Sequence, residues 1–227
     1  MIKISHAATY NWEGAIRGMR NPMNSWEKSD SKYCNEYLGC TDCPAHRDAG
    51  YCEPLGDTLL IIGKNDLDLM KKLAKAGSDH RKFMRQIFVS VDITAPLYWW
   101  KEFDTYKVGT TANSCSTMHK VHAKEFTVDD FSFERTIPIC SWFITSVLNV
   151  LNTSRERFLE TKDKVHWDTM IQFLPSSYNQ KRTITMSYEN LVNMYHARKN
   201  HKLDEWREFC GWIEGLPYSE IITGVKE

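Results

Sequence analysis

The stretch from Gly77 to Lys120 constrains this chain more than any other. A polar turn leads into an apolar, β-branched run, Ile87 to Ile93, which breaks at Pro96. Behind the proline come Tyr98, Trp99, Trp100, Lys101 and Glu102, then a dense series of small polar residues from Thr110 to Thr117. β-Branched side chains fit a pleated, buried surface, and a proline is well tolerated where a helix begins, because the amide it removes has no partner there. A buried strand followed by a helix over Leu97 to Tyr106 is therefore expected. Adjacent tryptophans beside charges, then hydroxyls and an amide, also suit a pocket that stacks a flat ring and hydrogen-bonds its edges. A core helix and a surface loop would account for the same residues with no ligand at all.

The 227 residues are enough for one domain with a substantial core, so a single domain over 1–227 is expected. Twenty-nine basic and 29 acidic side chains cancel, which argues against nucleic-acid binding driven by bulk positive charge. No apolar run approaches the roughly 20 residues of a membrane span. The opening MIKISHAATYNWEG lacks the basic-then-apolar layout of a secretory signal. A cytoplasmic protein with no membrane or nucleic-acid partner is the expectation. Three of the seven cysteines, Cys115, Cys140 and Cys210, are scattered, which fits reduced thiols better than a disulfide framework.

The other four lie close together in a polar segment, Cys34 to Cys52, that reads as an insertion. Cys40 and Cys43 form a Cys-x-x-Cys pair, flanked by Cys34 and Cys52, with His46 between. Four thiolates, or three and His46, could close a tetrahedral structural zinc site where the segment is too polar to build its own core. Free surface cysteines are the competing account. His80, His119 and His122 lack a carboxylate at metal-ligand spacing and read as ordinary polar histidines.

Along the chain, Met1 to Tyr10 alternates as an edge strand would. Asn11 to Met19 reads as a helix capped by Asn11, with Trp12, Ile16 and Met19 on one face. Arg17 and Arg20 could grip an anion, although solvated arginines explain them as well. Leu59 to Ile62 suggests a short strand. Asp66 to Ala76 suggests an amphipathic helix capped by Asn65 or Asp66 and stopped by Gly77. Ile137 to Thr161 carries a long helical pattern, and Trp167 to Phe173 continues apolar up to Leu174-Pro175. Ser176 to Thr183 reads as a loop, followed by helices over Ser187 to Lys199 and Leu203 to Ile213.

His80 with its apolar strand, the Thr94-to-Trp100 helix start, Asn113 and Ser116, Leu174-Pro175, and the late helix carrying Asn193 and Arg198 come in one order. In that order the chain resembles the flavin-dependent thymidylate synthases, the ThyX family, over roughly Asp66 to Trp212. The resemblance implies an α/β (α+β) fold, a curved and mainly antiparallel sheet flanked by helices. It also implies a homo-oligomer, tetramer or dimer, with active sites between subunits. FAD and a uridine nucleotide would bind there, with C5 methylation drawing on methylenetetrahydrofolate and NADPH.

Laid on the family signature R-H-R-x-x-S-x-N-x-x-S-x-R, the asparagine and final serine fall on Asn113 and Ser116. The first serine falls on Thr111, and the polar residue after the asparagine on Ser114. The arginines fall on Tyr106, Val108 and Met118, and the histidine on Lys107. Before Leu-Pro the family usually has Ala-Arg, where this chain has Met170 and Ile171. Asn193, Thr111 and Asn113 are thus candidate flavin contacts. Ser114, Ser116 and Arg198 are candidate nucleotide contacts. Trp99 or Trp100 would stack, and Lys101 and Lys107, with Arg81, Arg85, Lys120 and Arg182, are cations that could replace the missing arginines. No side chain is required as a nucleophile. A pocket that sequesters or senses a nucleotide without turnover is the alternative. A scaffold whose cysteine insertion recruits a partner is a third.

Overall fold

The structure is a computed structural model describing residues 2–33 and 60–225. The expected buried strand is β4 (Phe88–Pro96), in which Val89, Val91, Ile93 and Ala95 are wholly buried while the residues between them are not. That alternation is the period-two signature of a strand with one covered face. Helix α3 (Leu97–Phe103) begins directly after Pro96 and ends three residues before the expected Tyr106. Strand β4 lies inside a four-stranded, antiparallel sheet of order β1–β4–β6–β5, with helices flanking it. Its edges are β1 (Lys3–Tyr10), as expected for the N-terminus, and β5 (Thr111–Ser114).

Two segments expected as loops are strands. Strand β6 (Asn179–Ser187) occupies most of the stretch after Leu174-Pro175. Its polar residues alternate with buried ones: Gln180, Ile184 and Met186 are buried, while Lys181 and Thr183 reach the carboxylate of Asp92 at 2.7 and 2.6 Å. Hydroxyls and charges on a strand's open face look like loop composition when read one residue at a time. The same applies to β5, all four residues of which are exposed.

The chain divides into two compact units. One comprises Ser5–Val91, Tyr106–Thr111 and Ile184–Glu227. It contains α1 (Trp12–Arg20), the antiparallel pair β2 (Lys32–Tyr33) and β3 (Leu60–Ile61), α2 (Lys64–Lys75), α6 (Tyr188–Arg198), α7 (Asp204–Glu214) and α8 (Glu220–Thr223). Helix α6 packs on α7 and α8, and its Tyr188 ring meets Trp12 of α1 edge-on at 5.1 Å. Asn11 precedes α1 but does not cap it; its amide donates to Gln86 O at 2.9 Å. The first turn of α2 is held by the carboxylate of Asp30, which accepts from the backbone of Asn65 and Asp66.

The other unit comprises Met1–Ile4, Asp92–Thr105 and Ala112–Thr183. The long helical pattern resolves into α4 (Ser141–Thr161) and α5 (Lys164–Phe173), which pack on each other. Asp163 separates them and caps α5 by accepting from Val165 N. Val121, Phe126, Phe131, Leu151 and Met170 form the core beneath this pair. No helix among the described residues is long and apolar enough to cross a membrane.

Candidate functional site

The late helix, α6, organises the candidate residues. Ser187 and Asn190 form a reciprocal capping box at its start: Ser187 Oγ accepts from Asn190 N at 3.3 Å, and Asn190 Oδ1 accepts from Ser187 N at 3.0 Å. This satisfies donors that every helix N-terminus leaves open. The Asn190 amide nitrogen then donates to Val108 O at 2.6 Å. At the other end of the helix, Arg198 Nε donates to the Tyr106 hydroxyl at 2.8 Å. Its guanidinium carbon lies 5.5 Å from the Tyr106 ring centre and 5.2 Å from that of Trp206, a fully buried side chain of α7. Residues 106–110 are therefore stapled to α6 at two points. Thr110 Oγ1 donates to Tyr106 O at 2.7 Å and tightens the turn, and Gly109 takes φ +78, a conformation open to glycine but strained for most residues.

Four predicted residues lie in this unit. Arg198 is half-buried, while Lys107, on the stapled segment, and Thr111, just after it at the start of β5, are exposed. Asn193 is exposed one turn beyond Asn190 and therefore beside it on the helix surface. Lys107 has no side-chain partner among the described residues, whereas Arg81 is committed to Glu189 at 3.0 Å. Nearby, a hydrogen bond to Glu214, with burial adding to it, pushes the Tyr195 phenol up to about 12. Burial, helped by the negative charge of Glu214, pushes the Cys210 thiol up to about 12, so it stays protonated and unreactive at neutral pH. Arg20 is buried against Asp66 at 2.7 Å and Arg17 is exposed, so the two do not act as a clamp.

The other unit holds the remaining candidates. Asn113, Ser114, Ser116 and Lys101 are exposed. Ser116 Oγ accepts from His119 N at 2.8 Å and Met118 N at 3.2 Å, so its hydroxyl shapes a turn. Trp99 and Trp100 require correction. They are 0 % and 1 % exposed, and Trp100 donates to Gln180 O at 2.9 Å while the Arg182 guanidinium lies 4.2 Å from its ring centre. They are core side chains with no face to offer a ligand. The two rings pack on each other at 4.8 Å and both on Phe103, and no sequence pattern separates such a core cluster from a stacking platform. Arg182 is likewise taken, by Asp104 at 2.7 Å. Met170 is fully buried and Ile171 packs against the same core, so the positions of the family's Ala-Arg pair are structural here.

Among the described residues no group of histidines, cysteines and carboxylates is arranged to hold a metal. Cys34, Cys40, Cys43 and Cys52 lie outside the described residues. Sequence reasoning missed Tyr106, Asn190 and Trp206, which hold the segment and the arginine in place. The Ser-x-x-Asn spacing of the capping box was the one available signal for Asn190.

An antiparallel sheet flanked by helices, with polar candidates on one helix and on the segment leading into an edge strand, defines an α/β protein of the flavin-dependent thymidylate synthase fold. Two solved structures from Helicobacter pylori carry that comparison. Thymidylate synthase X with FAD and dUMP superposes with a TM-score of 0.65 at 14 % identity, covering 97 % of this chain and 94 % of its own. The flavin-dependent thymidylate synthase ThyX complexed with FAD and dUMP gives a TM-score of 0.64 at 14 % identity, covering 99 % of each chain. No protein-family model matches the sequence, and no curated protein matches it.

Proposed function

We propose that this protein binds FAD and a uridine nucleotide and acts on C5 of the pyrimidine, as a cytoplasmic, folate- and NADPH-linked thymidylate synthase-like enzyme. The observation that carries the proposal is a fold shared over nearly the whole chain with enzymes solved with FAD and dUMP. The candidate residues on α6, on its stapled segment and at the start of β5 fit such ligands in kind. Asn193 offers an amide donor and acceptor for the edge of a ring, Thr111 a hydroxyl, and Arg198 and Lys107 two cations for phosphate. A stacking face from Trp99 or Trp100 is not part of the proposal. Bound flavin would supply the redox chemistry, and the chain's own residues would bind and orient both rings.

The test is cofactor and nucleotide occupancy. Purified protein should show flavin absorption or take up FAD with saturable fluorescence quenching, and dUMP should then bind. Arg198→Ala should weaken dUMP at least tenfold, on the order of the 1.5–3 kcal/mol of a charge-assisted contact. Absence of FAD uptake at high concentration would sink the flavoprotein proposal. Nucleotide binding without flavin would point instead to sequestration without turnover.

A further inference from the structure

We propose that the cavity between helix α2 and the turns that follow α1 is a binding site for a zwitterionic α-amino acid with an apolar side chain. The site is independent of the flavin and nucleotide reading, because none of the residues assigned to those ligands lines it. The cavity holds about 510 Å³, within the usual range of small-molecule sites. One wall is the stretch from Asn21 to Lys28, which contributes Met23, Ser25 and Lys28. The other is α2, whose Asn65, Asp68 and Leu69, three and four residues apart, share one face. Arg20, 3 % exposed, also lines the space. It donates to Ser25 O at 3.2 Å, to Lys28 O at 3.1 Å and to the Asp66 carboxylate of α2 at 2.7 Å, and so ties the two walls together. A cavity fixed in advance in this way spares a ligand part of the ordering cost of binding.

Three groups of the lining have bonding capacity to spare. Ser25, 6 % exposed, accepts from Arg20 Nη1 through Oγ at 3.4 Å, but its hydroxyl hydrogen has no acceptor among the described residues. Buried hydroxyls are ordinarily satisfied. The Lys28 ammonium and the Asp68 carboxylate are exposed and have no partner among the described residues, one another included. Arg20 is balanced by Asp66, so these two unpaired charges decide what the cavity favours. A simple anion would gain from Lys28 and be opposed by Asp68, and a simple cation would meet the reverse. An α-amino acid carries both charges on one carbon and is matched by both. Its carboxylate would accept from Ser25 Oγ and Lys28, and its ammonium would donate to Asp68. Its side chain would cover Met23, which is 55 % exposed, and Leu69, removing apolar surface from water. The Asn65 amide can donate or accept beside them.

Calorimetric titration of the full chain with L-leucine, isocaproate and isoamylamine tests this. The last two keep the apolar chain of leucine but carry only its carboxylate or only its ammonium. L-Leucine should bind saturably in the millimolar range and more tightly than either. Lys28→Ala, Asp68→Asn and Ser25→Ala should each weaken it about three- to tenfold, the scale of one polar contact at a partly exposed site, with unchanged circular dichroism. Arg17→Ala, outside the cavity, should leave it unchanged. No saturable heat with L-leucine at millimolar concentration overturns the proposal. Isocaproate or isoamylamine binding as tightly as leucine overturns it as well, since one of the two charges then has no part. Leucine affinity indifferent to both Lys28→Ala and Asp68→Asn places the ligand elsewhere and also overturns it.

Discussion

Asp66 shows how a side chain that reads as a helix cap can be a structural keystone. Burial pushes its carboxyl up, but hydrogen bonds from Ser31, Ser29 and Arg20, with the charge of Arg20, outweigh that and hold it below its ordinary value of 3.8. Arg20 is buried with it and spends its remaining donors on Ser25 and Lys28. Breaking a buried pair from one side strands the other charge, so Asp66→Ala should cost about 3–5 kcal/mol in urea unfolding. The double change Arg20→Met with Asp66→Leu should cost much less, and equal losses would refute the pairing argument. The folded carboxyl ionises below the unfolded one. Its contribution is therefore complete above the ordinary carboxylate range and is lost as pH falls through the folded value. Wild type should lose stability on acidification more steeply than Asp66→Ala.

At the scale of elements, the two staples on α6 have separable effects. Asn190 closes the capping box and also holds Val108, so Asn190→Ala removes both at once. A lost cap costs about 0.5–2 kcal/mol, visible in urea unfolding, and proteolysis within residues 106–110 should quicken alongside. Unchanged unfolding and cleavage would show that neither bond matters. The longer helices and β4 were legible in the sequence because one-sided burial writes a period of 3.6 or 2 into the apolar residues, whereas the single turn of α8 was not. Strands β5 and β6 were not. Their exposed positions carry Thr, Asn, Ser and Lys, and their partners, such as Asp92 for Lys181, are 89 residues away in the chain. The candidate site divides along the same line. Asn193 and Arg198 were reached only through the family resemblance, whereas Tyr106 and Trp206 matter only because the fold brings both rings to one guanidinium.

At the scale of the molecule, helix α4 has more apolar surface than the described residues cover. Leu151 is fully buried, and Val147, Leu148 and Phe158 pack on the core beneath. Trp142, Phe143 and Val150 lie on another side and are 65, 55 and 41 % exposed, with Ile137 and Ile139, in the turn just ahead of the helix, at 66 and 70 %. A helix apolar on two sides is ordinarily buried on two sides, and a contiguous patch of this kind marks an association surface. The occupant put to the test is a second copy of this chain. Single apolar side chains at the centre of an interface often contribute 2 kcal/mol or more, roughly thirtyfold in association, and tryptophan heads that group. Trp142→Glu places a charge there, which the free surface tolerates and a buried interface does not. Light scattering behind size exclusion should give an oligomer for the wild type and a smaller species for Trp142→Glu, with unchanged helical circular dichroism. A wild type that runs as a monomer, or an oligomer indifferent to the glutamate, would show that this face of α4 is not where copies of the chain meet.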